Sequence, residues 1–245
     1  MDVWQYFVKD YTGARFVLFG VAHLVSLLVI AIFILFLTRF KGSSQVVRAR
    51  VRWILAIMLW LVEASWHIWN LTIGTWTIQT MLPLHMCSVL IWLAGFMLIF
   101  RQYSIYEFVY FLGIGGALQA LLTPDVGIYG FPHFRYIQTF ISHGLLLGTG
   151  VYMTIVEGFR PTWRSILRIF VIANLYMLAV FFINAAIGSN YLLINSKPPM
   201  ATIIDLLPDW PWYIPWLEFI ALVNCLLLYI PFIIQDWRAK KTAMV

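Results

Sequence analysis

The 245-residue chain is poor in charge. Asp, Glu, Lys and Arg make up 11% of it, against 62% hydrophobic residues and a mean hydropathy of +0.88. Soluble domains carry about 25% charge and about 45–50% apolar residues. The apolar excess runs along the whole chain, which excludes a water-soluble class and predicts an integral membrane protein. Cysteine is equally scarce: Cys87 and Cys225 each lie inside an apolar run. Two such residues exclude a disulfide framework and match no zinc spacing. There is no G-x-S-x-G elbow, no H-E-x-x-H and no Walker sequence, so the familiar soluble hydrolase, zinc-protease and nucleotide-binding classes drop out. No internal repeat or low-complexity tract occurs. The opening MDVWQYFVKDYTGAR lacks a basic start, and no small-residue cleavage site follows the first apolar run, which is read as a retained helix.

What the chain does have is long apolar stretches. A spanning helix needs about 20 such residues. Seven windows qualify: 16–38, 53–73, 82–100, 106–122, 136–156, 166–187 and 213–234. The expected fold is all-α, a single polytopic membrane domain made of a bundle of seven transmembrane helices. Lys9, Arg15, Arg135 and Lys197 fall on one side of these spans, and the other twelve of the 16 Lys and Arg residues on the opposite side. The excess of basic residues in cytoplasmic loops then places the N-terminus outside and the C-terminus in the cytoplasm of a cell-membrane protein. The same rule accounts for the net charge of +6. Membrane lipids are therefore the expected partners, with no nucleic acid and no obligate protein partner. Trp210, Trp212, Tyr213 and Trp216 suit an outer headgroup belt, with Trp53 and Trp237 on the inner side. Ala201–Leu207 is expected to form a short interfacial helix.

Polar residues inside the spans concentrate toward the outer ends. Glu63, His67 and Asn70 are spaced i, i+4, i+7 and share a helix face. His85 and Cys87 open the third span, within MLPLHMCSVLIW. His23, Gln119, Gln138, His143, Asn184 and Glu218 also fall in outer halves. An ionised side chain at mid-membrane costs about 2.5–3.5 kcal/mol on insertion scales. A shared, outward-facing polar pocket would satisfy all of these groups together. Each also has a simpler reading: interhelical hydrogen bonding for the Glu63 face, capping for His85, a packed interfacial histidine for His23, solvation for loop residue His133, and small buried hydrophobes for both cysteines. Gly144 and Gly148 fit small-xxx-small helix packing.

No close histidine pair defines metal-ligand geometry, so no metal is expected, and no cofactor motif is present. The chemistry left is histidine acting as general base or nucleophile on a lipid ester. Candidate catalytic residues are His143, His85 and Cys87. Candidate substrate-binding residues are Glu63, His67, Asn70, Gln119, Gln138, Asn184 and Glu218. On a straight helix His85 and Cys87 point about 200° apart, so a histidine from another helix, such as His143, would serve the thiol. A transporter or lipid-binding protein using the Glu/His cluster for protons or a polar ligand is the alternative, although no repeated halves with interrupted helices are visible.

The runs LPLHMCSVLIW, GGALQALLTPD, FRYIQTFISHG and SKPPMATIIDLLPDWPWY resemble the YwaF family of bacterial integral membrane proteins. The chain is also distantly similar to the eukaryotic transmembrane protein 164 family, which includes a phospholipid acyltransferase. Those relatives carry Pro-Cys-His at the head of a helix and a later Ile-Gln-His. Here the runs read Pro83-Leu84-His85 and Ile141-Ser142-His143. The resemblance implies roles for His85 and His143. It also implies that Leu84 stands where the relatives have their nucleophile, leaving Cys87, a serine or threonine, or an activated water to take that part.

Overall fold

A computed structural model describes residues 3–197 and 203–243. Their long helices are α1 (Val21–Thr38), α2 (Gln45–Thr72), α3 (Met86–Phe100), α4 (Tyr103–Leu122), α5 (Phe134–Ile155), α6 (Trp163–Ile187) and α7 (Tyr213–Ala243). The fold is all-helical, as expected, and no described residue lies in a strand. Five of these helices, α1, α2, α4, α6 and α7, are long and apolar enough to cross a membrane. Helix α3 is apolar but has only 15 residues, and α5, with 22 residues, buries the polar side chains of Gln138, Thr139, Ser142 and Thr149. Large apolar side chains stand exposed along the helices, for example Leu28 at 60% and Leu175 at 62%. A bilayer, not water, covers such surfaces.

The chain divides into two compact units. The first comprises the chain up to Thr77 together with Met86–Phe159, and the second Ile78–His85 together with the chain from Arg160 onward. In the first unit α5 is central, packing against α1, α2, α3 and α4. Close approach to α1 follows from its small residues. A Cβ added at Gly144 would come 3.0 Å from Ile30, and one at Gly148 would come 3.0 Å from Phe33. The small-xxx-small reading of that pair therefore holds, and the Ser26 and Tyr136 hydroxyls add a 2.8 Å hydrogen bond across the same seam. Helices α2 and α3 meet at Gly95, where any Cβ would collide with the Trp60 indole at 2.3 Å. That indole donates to the Trp92 carbonyl.

At one end of this unit α2, α3 and α5 are tied by charge. Glu157 accepts from Arg52 at 2.6 Å and pairs with Arg101 at 3.2 Å. Arg52 also donates to the Leu98 carbonyl and Arg48 to the Val156 carbonyl. At the opposite end the N-terminal segment is strapped down. Trp69 donates to the Phe7 carbonyl, His133 to the Val8 carbonyl and Tyr129 to the Lys9 carbonyl.

In the second unit Asn184 organises the turn after α6. Its amide donates to the Tyr191 and Asn195 oxygens, and its carbonyl accepts from Ser189 and the Tyr191 backbone. Tyr191 donates to the Ile78 carbonyl and accepts from the Leu82 backbone. Tyr176 donates to the Leu84 carbonyl. Leu84 itself packs among Val180, Tyr191 and Ile194. Leu84 thus occupies an apolar packing position.

Helix bounds differ from expectation at several places: α1 begins five residues late, at Val21, and α7 runs nine residues past position 234, to Ala243. Helix α2 begins eight residues before the expected Trp53, because Ser44 caps it. Helix α3 begins at Met86, four residues later than expected. Tyrosines distant in sequence hold the backbone groups of Leu82 and Leu84 that a continued helix would have used. His85 therefore lies outside the helix. Of the expected interfacial helix, Ile203–Leu206 forms a single 3-10 turn, while positions 201 and 202 lie outside the described residues. Trp210, Trp212 and Trp216 are exposed, as a headgroup belt requires, whereas Tyr213, expected in the same belt, is buried and its hydroxyl donates to the Leu193 carbonyl.

Candidate functional site

The shortness of α3 sets the geometry. Arg52 of α2 bonds the Leu98 carbonyl of α3, which fixes a common level. From there Glu63 is eleven residues up α2 and Ser88 ten residues back along α3, both about 15–16 Å at the helical rise. The first turn of α3 thus starts at the depth of Glu63, well short of the end of α2 at Thr72. Cys87 and Ser88 are correspondingly deep, and not near the end of a full-length span. The first backbone N–H groups of a helix have no partner within it, and membrane proteins use such helix starts to face anionic groups.

Several polar groups of the first unit gather there. The Ser88 hydroxyl lies beside the Glu63 carboxyl, whose Oε1 atom is buried without a hydrogen-bond partner. His67 Nε2 stands 3.9 Å from that oxygen. Cys87 is half-buried, with Sγ 3.6 Å from where a Cβ on Gly116 would lie, so it faces α4. Arg135, in the first turn of α5, stacks on Trp66 with its guanidinium carbon 4.1 Å from the ring centroid. Gln138 is buried and accepts from Arg135 at 3.2 Å. Asn70 is buried too, but its side chain is spent on the turn after α2, donating to the Trp66 carbonyl and accepting from Thr75.

Hydrogen-bond partners fix the proton on each of the five histidines. A backbone or indole N–H can only donate and a carbonyl can only accept. At His23, His67, His85 and His133, Nδ1 accepts from Phe19 N, Trp76 Nε1, Leu192 N and Arg135 N respectively. In their neutral forms these four carry the proton on Nε2. His143 is the reverse. Its Nδ1 faces the Thr139 carbonyl at 2.8 Å and so carries the proton, with the Ser142 hydroxyl 3.2 Å away. The Nε2 lone pair is left open, as a general base requires.

The other expected site residues are scattered. His85 belongs to the second unit, where it is exposed and its ring meets Tyr191 at 5.2 Å between centroids. Asn184, with all its bonds inside the loop, is a scaffold residue of that unit. Glu218 is half-buried in the second turn of α7, and Gln119 of α4 is exposed. His23 is buried and joins α1 to the Leu121 carbonyl at 2.8 Å. The reading of His133 as a solvated loop residue is corrected: it is fully buried and caps α5. Burial holds its imidazole below the usual range.

Sequence reasoning missed Arg135, Trp66 and Ser88. Arg135 had been counted only as a loop charge. Its three-residue spacing to Gln138, which lets the two side chains meet on one helix face, was the available signal. Among the described residues no group of three or more His, Cys, Asp and Glu side chains has metal-holding geometry.

Comparison with known proteins gives one result. No match was found among curated proteins or among solved structures. A family model described as the TMEM164 family matches residues 18–229, which takes in α1 to α6 and most of α7. With its apolar helices, the chain is therefore a multi-pass membrane protein and belongs to the TMEM164 family.

Proposed function

We propose that the protein is a lipid-acyl enzyme of the cell membrane, transferring or hydrolysing acyl chains of membrane lipids with His143 as base. The observation that carries the reading is the open Nε2 lone pair of His143, held by the Nδ1 contact to Thr139. Cys87 is the proposed nucleophile. His143 takes the Sγ proton, and the thiolate attacks the ester carbonyl carbon. The backbone N–H groups opening α3 favour the oxyanion. Collapse breaks the ester C–O bond, and the leaving alkoxide recovers the proton from His143. A second lipid hydroxyl, or water, then releases the acyl group from the thioester by the same proton route. Family membership supports this reading.

The test is acyl release or transfer from a labelled phospholipid by purified protein in nanodiscs. Positioned acid–base groups contribute about 10²–10⁴-fold. His143→Ala should therefore lower turnover at least about a hundredfold with an unchanged melting temperature. Cys87→Ser should impair turnover and Cys225→Ser should not. Equal inertness of wild type and His143→Ala across lipid classes would refute the enzyme.

A second reading is a proton-coupled transporter or ligand-binding protein, favoured by the partnerless Glu63 Oε1 close to His67. It predicts pH-driven uptake in proteoliposomes that Glu63→Gln and Glu218→Gln alter.

A further inference from the structure

We propose that Arg135, laid on Trp66, is a seat for the phosphate group of a membrane phospholipid. The proposal deepens the lipid reading of the first unit and rests on it, but not on turnover.

Arg135 is held in a fixed orientation; the Asp125 and Glu63 carboxyls act on it electrostatically, but neither closes an ion pair with it. The Trp66 ring supports one face of the guanidinium. Nη1 donates to Gln138 Oε1 at 3.2 Å and Nη2 donates to the Asp125 carbonyl at 3.0 Å. Both acceptors are uncharged. No carboxylate oxygen among the described residues lies within the 4.0 Å of an ion pair. A guanidinium has five N–H donors in a planar fork, so three remain for a ligand. Arg135 and Trp66 are half-buried, so the fork is reachable. The contrast with Arg52 and Arg101 is direct, because both of those are closed on Glu157.

The chemistry of a group that could take the remaining donors follows from geometry and depth. A rigid, charged fork suits a planar pair of anionic oxygens, carboxylate or phosphate. Arg135 is one residue past the start of α5, whose 22 residues give about 33 Å at the helical rise. That length is comparable with a hydrocarbon core of about 30 Å, and the proposal takes the first turn of α5 to lie at headgroup level. The abundant anionic group at that level is the lipid phosphodiester. Trp66 at the same seat suits the interface between chain and headgroup.

Inorganic phosphate shares this chemistry, and the experiment separates the two sources. Delipidated protein in detergent is titrated with dioleoylphosphatidylcholine or with dioleoylglycerol, which has the same chains and no phosphate. Bound lipid is counted by native mass spectrometry, with millimolar inorganic phosphate as competitor. Wild type should bind phosphatidylcholine about tenfold or more above dioleoylglycerol, the scale of one charge-assisted contact. Arg135→Gln should erase that preference and Arg135→Lys should restore part of it, while inorganic phosphate displaces neither lipid. Equal binding of the two lipids by wild type overturns the proposal, whether or not the variants fold. So does a preference that survives in folded Arg135→Gln, or displacement by inorganic phosphate. Because lipid retention is read without catalysis, a protein that keeps the phosphate preference but lacks turnover refutes the enzyme and leaves this seat standing.

Discussion

Two buried glutamates in the first unit differ in one respect. Glu157 and Glu63 have side chains 2% and 3% exposed. The first is met by two arginines, one on each carboxylate oxygen, and ties the ends of α2, α3 and α5 together. The second has Ser88 beside its carboxyl, one bare oxygen and a histidine 3.9 Å off. Its nearest cation in character, Arg135, grips neutral acceptors instead. Burial is the same, and pairing is not. A closed ion cluster fixes helices, whereas an open one keeps unspent donors and acceptors for something that comes and goes. The molecule keeps the two at opposite ends of one helical unit, so that the open cluster is anchored by the closed one.

The same substitution at the two glutamates breaks or sharpens this contrast. Glu157→Gln leaves two arginines without their counter-charge and should cost about 3 kcal/mol of stability, read as a fall in melting temperature in detergent. Combining Glu157→Leu with Arg52→Met should recover most of it. Glu63→Gln should change stability by less than about 1 kcal/mol or raise it, since an uncompensated buried oxygen is replaced by a neutral amide, while lowering turnover. A loss at Glu63 matching that at Glu157 would erase the distinction. The smallest effect concerns the strap over the open end. Folding holds His133 neutral, its imidazole depressed below the unbound value of 6.5. The unfolded chain therefore binds more protons, and this contribution is present above pH 6.5 and lost as pH falls toward the folded value. Protonation would remove the Nδ1 acceptor for the Arg135 backbone. Hydrogen-exchange protection factors of residues 3–14, corrected for the intrinsic pH dependence of exchange, should fall between pH 7.5 and 5, and a His133→Gln variant should lose most of that change.

Hydropathy alone made most of the helices legible, because a bilayer imposes length and apolarity on each segment separately. It also gave the Gly144/Gly148 seam, which is a local pattern. The start of α3 was not legible. It is decided by Tyr176 and Tyr191, which reach back to Leu84 and Leu82 from about a hundred residues later. Nor was the difference among the histidines. One imidazole looks like another in sequence, and only the donors around each ring show that His143 keeps its base lone pair while His23 and His133 are spent as clasps. Arg135 was hidden for a related reason. A cation at a helix end is ordinary until its partners turn out to be uncharged.

The 15 residues of α3 give a rod of about 22 Å, beside a hydrocarbon layer of about 30 Å. That shortfall makes the protein sensitive to its host membrane. A thin bilayer fits α3 without deformation, whereas a thick, sterol-rich one must dimple around it, at a cost of fractions of a kcal/mol per ångström of mismatch. The choice of reconstitution lipid is then part of any measurement made on the protein.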